Sequence, residues 1–173
     1  MAEYGFDGVH FQYVRINDDF QKLKMICDTD KTEFELISDL GYSSMTHYQF
    51  VHFMSMKDIT YENAIQYMLD EWQECDKSGI TYFPHVSLGW NPNPSFKHYF
   101  KDVMKNPKPE YIERAFRLAK EFVDNHSENP PLIVINSWNE WTEGSYFEPD
   151  NLYGYGYLEG AKNVFYEIHK RMI

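Results

Sequence analysis

The sequence predicts an α/β fold in which parallel strands alternate with covering helices, and three observations carry that reading. Three segments repeat apolar residues at helical spacing, short β-like runs lie between and around them, and the run LIVIN at 132–136 opens with four consecutive apolar residues. Unbroken apolarity suits a strand covered on both faces, as in a parallel sheet between helices, better than a strand with one wet face.

The elements follow in order. GFDGVHF at 5–11 and GYSSMTHY at 41–48 each place glycine and an aromatic residue ahead of a strand, and weaker helical stretches occupy 18–27 and 32–40. The first strong helix carries Tyr61, Ala64, Ile65, Met68, Leu69, Trp72 and Cys75 on one stripe, with Thr60 placed to cap it and Gly79 just beyond its end. TYFPHV at 81–86 reads as a strand, and the Pro/Asn-rich GWNPNPSF at 89–96 as the loop that follows it. Pro109 suits the first turn of a second helix, whose stripe is Tyr111, Ile112, Ala115, Phe116, Ala119, Phe122 and Val123. After LIVIN, a third helix carries Tyr157, Leu158, Ala161, Val164, Phe165 and Ile168. No heptads, low-complexity tract or linker interrupts this order, and 173 residues at 43% hydrophobic support one core, so residues 1–173 are expected to form a single domain.

Composition removes several classes of function. Sixteen Lys and Arg against 27 Asp and Glu give a net charge of −11, which repels phosphate backbones and anionic membrane surfaces, so no nucleic-acid partner is expected. Cys27 and Cys75 are far apart and fit no disulfide framework or zinc spacing, and the seven histidines form no HExxH arrangement, so no metal is expected. Glycine-rich phosphate loops are absent, and no cofactor is expected. No apolar run approaches the roughly 18 residues of a membrane span, and the first residues lack a basic start followed by an apolar stretch. The expectation is a cytoplasmic protein without a membrane span.

In β/α folds the chemistry gathers in loops at the carboxyl ends of strands. The loop after TYFPHV holds Trp90 and Asn91, and His85 stands near the end of that strand. The loop after LIVIN reads SWNEWTEGSYFE and holds Trp138, Asn139, Glu140, Trp141, Glu143, Tyr146 and Glu148. Carboxylates to move protons, amides to hold hydroxyls and aromatic faces for sugar rings are the parts of a carbohydrate site. If Glu140 and Glu143 span one helical turn, their side chains share a face; in an extended segment the odd spacing points them apart. Glutamates three apart are also common on solvated helix faces, and a lone tryptophan is more often core than ligand platform.

The stretch VINSWNEWTEGSYFEPDNLYGYGYLEGA closely resembles the signature of WbsX-type glycan-biosynthesis proteins, which are domain relatives of glycoside hydrolase family 99. VSLGWNPNP resembles that group's second motif and YGFDGVHFQY a third, so the resemblance spans most of the chain. The resemblance implies a (β/α) barrel of TIM type. A full (β/α)8 barrel takes about 250 residues, so this chain is expected to supply its C-terminal half to two-thirds and to lack an N-terminal part. It also implies that Glu140 and Glu143 are a catalytic pair in a retaining mechanism, the first as base toward the sugar's own 2-hydroxyl and the second as proton donor. The substrate implied is a polysaccharide or lipopolysaccharide-type glycan, acted on by a glycoside hydrolase or a glycosyltransferase.

Three readings stay open on sequence alone: that enzyme, a non-catalytic glycan-binding or accessory module that keeps the aromatic cleft, and a structural remnant. A partial barrel leaves sheet edges open, so self-association or pairing with the missing N-terminal half is also expected.

Overall fold

The computed structural model describes residues 32–39 and 42–171. The motif at 4–13, the helical stretch expected at 18–27 and Cys27 lie outside the described residues. Four helices are described: α1 (Glu33–Asp39), α2 (Tyr61–Lys77), α3 (Pro109–Asn125) and α4 (Gly156–Arg171). The strands are short: β1 (Ser44–Met45), β2 (Thr81–Tyr82), β3 (His85–Ser87), β4 (Val134–Asn136), β5 (Asn139–Glu140) and β6 (Ser145–Tyr146).

The strong helices form where the apolar period places them, and their ends have physical causes. Thr60 caps α2 by accepting a hydrogen bond from the Asn63 amide, and Gly79 follows the helix at φ 77°. Pro109 opens α3, where its missing N–H costs no helical bond. The stripes point inward: Tyr61, Ala64, Ile65, Met68, Trp72 and Cys75 of α2 and Ile112, Ala115, Phe116 and Ala119 of α3 are buried. Tyr157, Leu158, Ala161 and Val164 of α4 join them in one hydrophobic core. A fully buried aliphatic or phenylalanine side chain contributes about 1.5–3 kcal/mol, so these stripes dominate the stability of the described chain.

TYFPHV is not one strand. It divides into β2 and β3 around Phe83-Pro84, because proline has no N–H for the ladder. The first part pairs in parallel with β1, Ser44 opposite Thr81, and the second pairs in parallel with β4, Val86 opposite Ile135. Bonds beyond the strands extend both pairings, from the Phe83 amide to the Met45 carbonyl and from the Leu88 amide to the Asn136 carbonyl. The run 81–88 therefore lies between β1 and β4, with all three in the same direction. LIVIN departs from expectation: Leu132 to Ile135 are half-buried rather than covered on both faces. Among the described residues β4 pairs only with β3, so its other edge has no strand against it.

The helices hold this sheet through side chains that reach the strand ends. The Tyr61 hydroxyl, at the start of α2, donates to the Ser87 carbonyl at 2.5 Å. Trp72 of α2 meets Phe122 of α3 edge-on at 5.7 Å, and Phe116 of α3 meets Phe165 of α4 at 5.8 Å. The carboxyl ends of β3 and β4 are thereby fixed side by side, and the loops that follow them carry the residues singled out above.

Candidate active site

Beneath the two loops lies a buried polar network. Asn136, the last residue of β4, accepts from Gln49 Nε2 at 2.5 Å and from Ser145 Oγ at 2.8 Å through its side-chain oxygen. Gln49 Oε1 in turn accepts from the Phe50 amide at 3.0 Å and from the Ser87 hydroxyl. Buried polar groups need such partners, and the bonds joining Asn136 Oδ1, Gln49, Ser87 and Ser145 fix one arrangement of the strand ends. Nothing in the sequence pattern marked Gln49 or Asn136; a lone polar residue beside an apolar run is their only trace.

On this floor stands an antiparallel hairpin, with Asn139 of β5 opposite Tyr146 of β6 and Glu140 opposite Ser145. Its tip is the 3-10 turn Trp141–Glu143, closed by the Gly144 amide donating to the Trp141 carbonyl. Ser137 Oγ braces the base, accepting from the Glu140 amide at 3.1 Å and donating to the Ser145 carbonyl at 2.8 Å. Glu140 enters the turn and Glu143 ends it. Glu140 stands before the turn with a non-helical backbone (φ −81°, ψ 65°), so the segment is neither one helical turn nor a continuous strand, and the Glu140 charge still acts on Glu143.

The loop after β3 is bonded to this turn. The Asn91 amide donates to the Glu143 carbonyl at 2.6 Å, and the Ser95 hydroxyl to the Thr142 carbonyl at 2.9 Å. Asn91 Oδ1 accepts from the Asn93 backbone and side chain, which shapes the loop around the contact. The fit is close: a Cβ on Gly144, whose φ is +61°, would lie 2.9 Å from Asn91 Cβ. Trp90, next to Asn91, is half-buried against the core, with its carbonyl accepting from the Met104 amide.

The two glutamates are not equivalent. Glu140 Oε1 accepts from the Thr142 hydroxyl. Glu143 Oε2 is buried with no hydrogen-bond partner among the described residues. Burial first, and then the neighbouring Glu140 charge, hold the Glu143 carboxyl above the usual carboxylate value. Tyr48 belongs to the same group of charges. Burial and then Glu143 raise its phenol, Glu140 adds to this, and the Asn136 amide opposes it. Asn136 Nδ2 itself is buried with no hydrogen-bond partner among the described residues. Tyr48 stands in GYSSMTHY, where no motif flags it.

The other expected site residues divide into two sets. Trp141 stacks on Tyr146 with ring centroids 3.7 Å apart and an interplanar angle of 12°. Its Nε1 donates to Glu148 at 2.7 Å, while the Tyr146 hydroxyl donates to Asp150 and its pKa is pushed up to about 12, by burial above all. Glu148 and Tyr146 thus support an aromatic platform whose outer ring, Trp141, is 42% exposed. Trp138 is equally exposed, meets Phe147 edge-on at 6.3 Å, and is followed by the exposed Asn139. His85 lies apart from this exposed set. It is fully buried beside His47, Phe50 and Phe53, its ring nitrogens bond to nothing among the described residues, and burial drives its pKa well down.

Comparison with known proteins decides the family: the model of the family Glycosyltransferase WbsX matches residues 1–161. The chain belongs to the WbsX family. It is also similar to the uncharacterized protein WxcX of two strains of Xanthomonas campestris pv. campestris, 28% identical over 84 residues, which are 49% of this chain. The match spans only 12% of that protein's length. Membership places the chain in a glycan-related family, and no helix among the described residues is long and apolar enough to cross a membrane.

Proposed function

We propose that the chain is a carbohydrate-active enzyme domain acting on polysaccharide or lipopolysaccharide-type glycans, with Glu143 as proton donor and Glu140 as base in a retaining mechanism. The observation that carries this reading is the asymmetry of the pair. A proton donor must keep its proton near neutrality, and burial beside a second carboxylate favours that at Glu143. Glu140, whose Oε1 accepts from the Thr142 hydroxyl, is the neighbouring carboxylate to which the base role falls.

In the first step Glu140 takes the proton of the sugar 2-hydroxyl as that oxygen attacks the anomeric carbon. The bond to the leaving oxygen breaks, and Glu143 supplies that oxygen with a proton. In the second step a water or an acceptor hydroxyl attacks the anomeric carbon and gives its proton to Glu143, while the C1–O2 bond formed in the first step breaks and O2 recovers a proton from Glu140. Both carboxyls return to their starting states, and two inversions give retention. Hydrolysis and transfer differ only in the attacking hydroxyl. Trp138 and Trp141 supply exposed aromatic faces for sugar rings.

The test is the pair of single amides. Glu140→Gln and Glu143→Gln should each lower turnover of natural glycans by on the order of a hundredfold or more. Glu143→Gln should spare substrates with good leaving groups, which need little protonation, whereas Glu140→Gln should not. Wild-type rates in both variants would dismiss the mechanism. The exposed Trp141 platform also suits a non-catalytic glycan-binding module; that reading gains if Trp141→Ala abolishes glycan binding while no turnover is measurable in the parent chain.

A further inference from the structure

His47, Glu71 and Cys75 bring a ring nitrogen, a carboxylate oxygen and a sulfur within 4.8 Å of one another. His47 comes from the segment after β1, while Glu71 and Cys75 lie four apart on α2 and so share a helix face. His47 Nε2 is 3.2 Å from Glu71 Oε1, and Cys75 Sγ is 3.9 Å from the same oxygen. In a tetrahedral zinc centre, with bonds of about 2.0 Å to nitrogen and oxygen and about 2.3 Å to sulfur, ligand atoms stand roughly 3.3–3.6 Å apart. Two of the three edges are within about half an ångström of that range, and the third, between His47 and Cys75, is no longer than 4.8 Å.

Two further features point to a ligand. His47 Nδ1 lies 3.0 Å from the hydroxyl of the buried Tyr82. With the Nδ1 proton donated to that oxygen, the lone pair stands on Nε2, the nitrogen that faces Glu71; metal-bound histidines are oriented in this way by an outer partner. Beside the cluster, a cavity of about 270 Å³ is lined by Asp70, Glu71 and Glu74 together with Phe53, Tyr67 and Gln73. An acidic approach raises the local concentration of cations and leaves room for water.

We propose that His47 Nε2, the Glu71 carboxylate and the Cys75 thiolate form a site for a zinc-class divalent cation, with the fourth position open to water from the cavity. Thiolate and imidazole together select zinc over magnesium or calcium, which take oxygen ligands. Binding releases the Cys75 thiol proton to solvent and replaces the S–H bond by a sulfur–metal bond. The ion ties the segment after β1 to α2. Tyr48 and Gln49 follow His47 directly, so the same ion anchors the stretch that carries Tyr48 to the acid pair and Gln49 to Asn136.

The 173-residue chain, stripped with a chelator, is titrated with Zn²⁺ against a chromophoric indicator and with Co²⁺ as a spectroscopic probe. One equivalent should bind, excess Mg²⁺ should not compete, and the cobalt form should show a thiolate charge-transfer band. That band should vanish in Cys75→Ser and persist in Cys27→Ser, which alters the only other cysteine. Tyr82→Phe keeps the ring and should weaken zinc binding by about 10–100-fold, and the half-exposed Glu71→Gln should weaken it at least as much. Circular dichroism checks that each variant is folded. Substoichiometric zinc, a band that survives Cys75→Ser, or unchanged affinity in folded Glu71→Gln would overturn the site.

Discussion

Glu140 and Glu143 carry the same functional group in surroundings that treat it differently. Because the Glu143 carboxyl titrates higher in the folded chain than in the unfolded one, the folded state binds more protons, and stability falls as pH rises from the unfolded value through the folded one. Activity that needs the acid is lost over the same upper limb. The two causes can be separated. Removing the Glu140 charge in Glu140→Gln should lower the Glu143 pKa, yet leave it above the usual carboxylate value, because burial is the larger cause. Carbon-13 titration of the Glu143 carboxyl reads this without any turnover; an unchanged pKa would mean that the pair is not coupled. The spacing of the two acids was visible in the sequence. Their unequal roles came only with the family resemblance, because the physical source of the inequality, the burial of Glu143 and the Thr142 hydroxyl on Glu140, appears only in the folded chain.

At the scale of elements, periodicity made α2, α3 and α4 legible, since each buries one stripe and obeys simple rules at its ends. The hairpin β5–β6 and its 3-10 turn were not legible, because two-residue strands have no period to detect. What holds that turn is contact across loops: the Asn91 amide on the Glu143 carbonyl and the Ser95 hydroxyl on the Thr142 carbonyl. The His47, Glu71 and Cys75 cluster escaped notice for a related reason, since only folding brings the segment after β1 against the face of α2. The loop contact predicts that Gly144→Ala is costly twice over, through its left-handed φ and through a Cβ 2.9 Å from Asn91 Cβ. The expected loss is about 1–3 kcal/mol, a melting point lower by on the order of 5 °C, and a displaced Glu143. Gly154→Ala, with a φ of +59° but nothing within 4 Å of the new Cβ, should lose only the conformational part and leave the Glu143 titration unmoved. Equal effects of the two variants would show that the loops do not interlock.

For the whole molecule, we infer that the parallel order of β1, the β2–β3 run and β4 is a portion of a (β/α) barrel, and that its outer strands are built to have neighbours. Among the described residues neither the far edge of β1 nor that of β4 is paired with another strand, and Val134 and Ile135 of β4 are half-buried. Open edges and partly wet apolar strands favour association with another chain. The net charge of −11 acts the other way, since like-charged copies repel, and salt screens that repulsion over about 10 Å at 0.1 M. The two effects together give a signed prediction for sedimentation of the 173-residue chain. At protein concentrations on the order of tens of micromolar, where exposed edges commonly drive association, the weight-average mass should exceed that of one chain. Raising the salt from about 0.01 M to about 0.5 M should increase it further, because screening removes the repulsion and leaves edge pairing and apolar contact in place. A chain that stays monomeric at both salt concentrations and unfolds in one cooperative step would show that these edges are already covered, and would remove self-association as the means by which the sheet is completed.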